Sequence, residues 1–245
     1  MFFEQRSASH RWSSNSIYNR FLILLLMVLI LILAGWGTLA IYYGDSKNSL
    51  LQSVIASAFA LSGFVACIAV WSCYWRKRVL VIFAVLFSMV LGWWFSISPS
   101  NERAWQPDVA HLPYAIINGD QVVIHNVRNF SYRSETDYQP VYETRTYDLS
   151  KLESVDLFTV YWMGPAIAHT IISFGFAGDD YLAVSIEARK EEGEGYSSIK
   201  GFFRQYELIY IVADERDVIG LRTNYRHNPP EQVYRYRFAL SPNVA

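Results

Sequence analysis

Cysteine is almost missing from this 245-residue chain: the 2 present, Cys67 and Cys73, sit in one apolar run. Six positions apart on a helix, their Cα atoms are roughly 9 Å apart at about 1.5 Å of rise per residue, which excludes a bridge within that helix. Nothing after Cys73 supplies a thiol, so the later, polar part has neither a disulfide framework nor a thiol nucleophile of its own. Acidic residues are scarce at the start, where only Glu4 and Asp45 precede Ser100, against seven basic residues, Arg6, Arg11, Arg20, Lys47, Arg76, Lys77 and Arg78. The first part therefore carries a net charge of +5 and the rest −6. No basic stripe is concentrated on the polar part, which excludes nucleic acid as the partner. No proline precedes Pro99. Histidine is sparse too: His111, His125, His169 and His227 have no ligand spacing relative to one another or to a thiol, so neither a metal nor another cofactor is expected.

What the first part has in place of charge is three apolar runs. Residues 21–43, 50–75 and 79–97 are uncharged, with Arg76–Arg78 between the second and the third; residues 1–20 read as a cytoplasmic tail. Each run suffices to cross a hydrocarbon core of about 30 Å as a helix. Tyr42-Tyr43 and Trp93-Trp94 lie where interface anchors belong. In the second run Ser53, Ala56, Ser57, Ala60, Gly63 and Cys67 recur at three- and four-residue steps, giving a face that admits close helix contact. Three crossings put the termini on opposite sides. The Arg and Lys clusters mark the tail as cytoplasmic and everything after Ile97 as outside. With no ionisable residue inside a span, an anchor is favoured over a transporter.

A Pro-containing linker over 98–114 leads to a domain over 115–245 built from short alternating strands. Strands are expected at 121–125, 138–147, 155–162, 207–213 and 233–240, with a short helix at 197–206 whose apolar face is Ile199, Phe202, Phe203 and Tyr206. The central hairpin runs from Ile167 to Arg189 around Ala177-Gly178-Asp179-Asp180. Ile172, Phe174 and Phe176 share an apolar parity with Leu182, Val184 and Ile186. These faces coincide only if paired residue numbers sum to an even number, which an odd loop of Ala177-Gly178-Asp179 provides. His169 then lies opposite Glu187, with Ser173 and Ser185 nearby on the other, polar face. A carboxylate beside a histidine fixes its tautomer and supports the imidazolium, as acid-base chemistry requires. The alternative is a solvated pair on the wet side of a half-buried hairpin. At the end of the chain, Ser241-Pro242 is a helix-start signal, from which the domain as given is expected to be incomplete.

Asn126–Ser134 (NVRNFSYRS), His169–Phe176 (HTIISFGF), Ser185–Glu191 (SIEARKE) and the YELIY segment with Asp214–Asp217 (DERD) resemble a bacterial periplasmic domain family named after Lnb, a lipoprotein N-acyltransferase. The resemblance covers roughly residues 121–240. The patterning gives an α+β architecture in which three N-terminal transmembrane helices precede a periplasmic antiparallel-sheet domain with few helices, and the resemblance implies that this domain is a permuted papain-like or NlpC/P60-like half-domain. It also implies thiol-dependent acyl transfer from a phospholipid or another lipoprotein to the N-terminus of a lipoprotein at the bacterial inner membrane, with a catalytic His in the HT motif and a Cys in a later segment. Only the His side, His169, is present here, with Glu187 as its orienter; the implied cysteine is absent from the chain. Arg128, Ser173, Ser185 and Arg189 are the substrate-contact candidates, the arginines because guanidinium suits phosphate and the serines as polar neighbours of His169. Two other readings stand beside it: a non-catalytic envelope module binding through its tyrosines, including Tyr132, Tyr138, Tyr142, Tyr147 and Tyr196, and a papain-like hydrolase of cell-wall peptides.

Overall fold

The computed structural model describes residues 7–44, 49–72, 74–227 and 230–239, and the side chains of residues 7–17 lie outside that description. Cys73 and the Ser241-Pro242 helix signal also fall outside it. The chain divides into two compact units, Met1–Ser100 with Ser197–Gln205, and Asn101–Tyr196 with Tyr206–Ala245.

The first unit contains three long helices: α1 (Ser7–Tyr43), α2 (Ser49–Val70) and α3 (Arg76–Ser96). Segments long and apolar enough to cross a membrane are Tyr18–Tyr43, Ser49–Val70 and Arg76–Ser96. The first helix starts far ahead of the apolar run, taking in a polar stretch read from sequence as a tail. Most of the large apolar side chains point outward, including Leu25, Ile32, Phe64, Ile82 and Met89, as a lipid solvent demands. Small residues line the seam: Ala56, Gly63 and Cys67 are buried on α2, whereas Ser57 and Ala60 are exposed. A Cβ at Gly63 would stand 2.3 Å from the Ala34 Cβ, so the absence of a side chain there sets how closely α1 and α2 approach.

The second unit is a mixed sheet with few helices. Its strands are β1 (Tyr114–Asn118), β2 (Gln121–Arg128), β3 (Ser131–Tyr132), β4 (Tyr138–Gln139), β5 (Tyr142–Asp148), β6 (Leu152–Tyr161), β7 (His169–Phe176), β8 (Asp180–Arg189), β9 (Glu207–Asp214) and β10 (Gln232–Arg237). The main sheet has the order β1-β2-β9-β8-β7-β6-β10, with β5 also on β2 and β3-β4 as a separate ribbon. All pairings are antiparallel except one parallel bridge, Arg128 to Ala213.

Phe176 pairs with Asp180, leaving the three-residue loop Ala177-Gly178-Asp179, in which Gly178 (φ 89°) and Asp179 (φ 60°) take left-handed conformations. Pairs such as Ile171 with Ser185 sum to an even number, so the odd-loop register holds. The facing differs from the sequence expectation. Ile171, Ser173, Ala183 and Ser185 are buried on the odd-numbered face, whereas Ile172 and Ile186 on the even-numbered face are 40% and 49% exposed. The reason lies outside the hairpin. Helix α5 (Glu215–Asn224) and the linker residues Trp105 and Val109 cover the odd face, packing Val218 and Ile219 on Phe158, Val160, Ile171, Ala183, Ile209 and Ile211. Small residues such as Ala183 and Ala213 permit that close cover. The even face is covered only toward the turn, where Phe176 and Leu182 meet Val127 and Tyr147.

Helix α5 grows from the DERD segment. Asp214 is its N-cap, accepting from the Arg216 backbone N–H at 2.9 Å, and Glu215 and Asp217 place negative charge in the first turn.

Candidate functional site

His169 opens β7, Ser185 and Glu187 lie two residues apart on β8, and Arg222 stands in the last turn of α5. Because β7 and β8 pair with an even sum, the three sheet residues point to the same side, and that side is the one α5 covers. The His169 Nε2 lies 2.7 Å from Ser185 Oγ and 3.1 Å from Glu187 Oε1. Ser185 donates its hydroxyl proton to Glu187 Oε1 at 2.8 Å, and Arg222 Nη2 donates to the same oxygen at 2.9 Å.

With the serine O–H donating to Glu187, the Ser185 oxygen offers His169 a lone pair, so Nε2–H donates to it. That leaves Nδ1 as the basic nitrogen, with no hydrogen-bond partner among the described residues. Burial raises the Glu187 carboxyl, but the His169 hydrogen bond, the Arg222 charge and the Ser185 hydroxyl outweigh it and hold the group well below the ordinary carboxylate range. Glu187 is thus a fixed anion supporting an imidazolium. Arg222 in turn reaches Glu231, which Arg226 also contacts at 3.3 Å. Trp162 stands beside the imidazole, with ring centroids 6.3 Å apart. The β6–β7 connection next to it exposes Met163 and Ile167.

Residues 138–245 match the family model of the Lnb N-terminal periplasmic domain. With three candidate spans ahead of it, the protein is a membrane protein with a periplasmic C-terminal domain. No curated protein and no solved structure matches the chain. The matched region contains His169, Ser173, Ser185, Glu187, Arg189 and Arg222; Arg128 lies ahead of it.

The remaining sequence candidates lie elsewhere in the second unit. Arg128 is buried, and all three guanidinium nitrogens are engaged: Nε and Nη2 with Asp217 at 3.1 and 2.8 Å, Nη1 with the Asp108 carbonyl at 3.0 Å. Asp217, 0% exposed, also accepts from the Phe130 N–H at 2.8 Å and the Tyr132 hydroxyl at 3.0 Å. Arg189 is buried with its guanidinium 4.2 Å from the Trp105 ring centre, donating to the Val109 and Ala110 carbonyls and to Asn101 Oδ1. These two arginines fasten the linker and α5 to the sheet. Ser173 is buried against Glu215, whose carboxyl burial raises above its ordinary value. Glu187 is therefore joined by Ser185 at His169, while Arg128, Ser173 and Arg189 are not.

Arg222 was not among the candidates from sequence. Its signal was present as an acidic cap, Asp214, with Asp217 three residues later, which opens a helix and places Arg222 two turns along. A depression of about 550 Å³ lined by Asp180, Asp214, Glu215, Ile219 and Arg235 lies toward the hairpin turn and does not include His169, Ser185 or Glu187. Its Asp214 and Arg235 already pair with Arg145 and Asp156. Among the described residues no group of three or more His, Cys, Asp and Glu is placed to hold a metal ion.

Proposed function

We propose that the periplasmic domain, over 115–245, supplies the base half of a thiol-dependent acyl-transfer site at a bacterial inner membrane, with the N-terminal tail in the cytoplasm beside the basic residues at Arg20 and Arg76–Arg78. The observation that carries the reading is the division of labour on His169. Nε2 is committed to Ser185 and Glu187, leaving Nδ1 uncommitted among the described residues. Nδ1 takes the proton of an approaching cysteine thiol, and Glu187 supports the imidazolium. The thiolate attacks the carbonyl carbon of a lipid ester, and the alcohol leaves with the proton from His169. The amino terminus of a lipoprotein then attacks the thioester and loses a proton to His169 as the thiolate is released, so the step balances without a cofactor. The domain contains no cysteine, so the thiol belongs to polypeptide other than residues 98–245.

The lack of a thiol in the domain favours a second reading, a non-catalytic envelope module; the hydrolase of cell-wall peptides needs the same thiol and differs only in acceptor. Mass spectrometry of lipoprotein N-termini from cells expressing the membrane-embedded protein tests the choice. His169→Ala is expected to lower N-acylation by about 10²–10⁴-fold, the range for loss of a positioned base. Unchanged acylation in a His169→Ala strain rejects the catalytic role. A reading frame that continues past Ala245 to a cysteine supports it, and the lack of any cysteine besides Cys67 and Cys73 leaves the binding module.

A further inference from the structure

In sequence, residues 197–205 fall between β8 and β9 of the sheet, yet they pack with the membrane helices as part of the first unit. They hold a one-turn helix, α4 (Ser198–Phe202), started by the Ser197 hydroxyl, which accepts from the Lys200 N–H at 3.5 Å. Phe203, 5% exposed, is the side chain this segment buries. Its ring stacks on Tyr43 with centroids 5.9 Å apart and lies 6.4 Å from Trp36 on α1. Arg204 lays its guanidinium 3.7 Å from the Trp94 ring centre and donates to the Trp94 carbonyl at the end of α3. Tyr43 and Trp94 lie at the ends of two spans, so the segment is seated at the level where a membrane's interface lies.

The apolar pair left over points away from that seat. Ile199 and Phe202, three residues apart and therefore on one side of a helical turn, are 55% and 69% exposed. At the span ends that this segment touches, Tyr42 and Phe95, the neighbours of Tyr43 and Trp94, are 51% and 68% exposed, apolar surface of the kind a lipid interface covers. Lys200 and Arg204 add positive charge on flexible stems, the combination that places apolar side chains below lipid phosphates and cations among them. We propose that residues 197–205 form an interfacial lipid contact, inserting Ile199 and Phe202 into the boundary between headgroups and acyl chains of the leaflet at the outer ends of α1 and α3. The inference is independent of acyl transfer: it requires only the spans and the segment seated on them.

The test uses the full chain in vesicles of phosphatidylethanolamine and phosphatidylglycerol, in a Cys67→Ala, Cys73→Ala background, with an environment-sensitive dye on Phe202→Cys. Ile199→Cys serves as a second site if the first labelled protein fails to fold, and Glu192→Cys as an exposed reference. Blue-shifted emission is expected at Phe202 and Ile199, with about twofold stronger quenching by a nitroxide near the headgroup than by one deep in the acyl chain. Quenching by aqueous iodide equal to that at Glu192, or stronger quenching by the deep nitroxide, overturns the proposal.

Discussion

Replacing Asp217 by Asn leaves Arg128 as a buried cation without its counter-charge, and the consequence is calculable from the contacts. The carboxylate receives four hydrogen bonds, two from Arg128 and one each from Phe130 N–H and Tyr132 O–H, and an amide supplies one acceptor oxygen together with two competing donors. Breaking a buried pair by removing one partner costs about 3–5 kcal/mol. For a domain that loses about 2 kcal/mol per molar urea, this moves the unfolding midpoint down by roughly 1.5–2.5 M. Pulse proteolysis of the detergent-solubilised full chain in urea, following fragments of the sheet domain, reads that shift. The double variant Arg128→Met, Asp217→Leu is expected to regain only part of the loss, because the Phe130 and Tyr132 donors stay unsatisfied at about 1–3 kcal/mol. A shift below about 0.5 M for Asp217→Asn, or a double variant less stable than the single one, refutes the assignment of Arg128 to the scaffold.

Hydrogen bonds from Arg237, with those from Arg235, hold the buried Asp156 down at about 2, although its burial opposes this. The stability this adds is complete above the ordinary carboxylate range and is lost as pH falls toward 2; because both arginines are about half exposed, it amounts to about 1–2 kcal/mol. Hydrogen exchange should show β10 loosening from β6 over that window, and Asp156→Asn should loosen it at neutral pH. Gly63→Val should lower the melting temperature of the helical unit in detergent, at a cost of about 1–3 kcal/mol for overpacking, whereas Gly35→Ala, which meets nothing within 4 Å, should not. Ser185→Ala should reduce stability by about 1 kcal/mol and lower N-acylation less than tenfold, since Glu187 still contacts His169. A folded Ser185→Ala protein with no activity would refute the minor role given to the serine.

The spans were legible because lipid imposes one crude requirement, uncharged length, and the runs meet it. Register was legible because strand parity is a property of the chain itself: Gly178 and Asp179 define an odd loop, and the meeting of the His169 and Glu187 side chains follows. Facing was not, since it depends on which side another element covers. Both faces of the hairpin carry apolar residues, and more of the large ones, Ile172 and Ile186 among them, are on the side α5 leaves open. The same long-range dependence hid the Arg128–Asp217 pair, whose members are 89 residues apart. It also hid the seating of Phe203 on α1, because a periodic pattern says that a turn has an apolar face but not where that face docks.

The odd loop also bears on how the gene can vary. Adding or removing one residue at Ala177-Gly178-Asp179 reverses the parity of β8 against β7, putting the Glu187 side chain through to the opposite surface while its pairing partner stays behind. Length changes at this turn should therefore survive in steps of two, and a lineage carrying a single-residue insertion there should have lost the histidine as well.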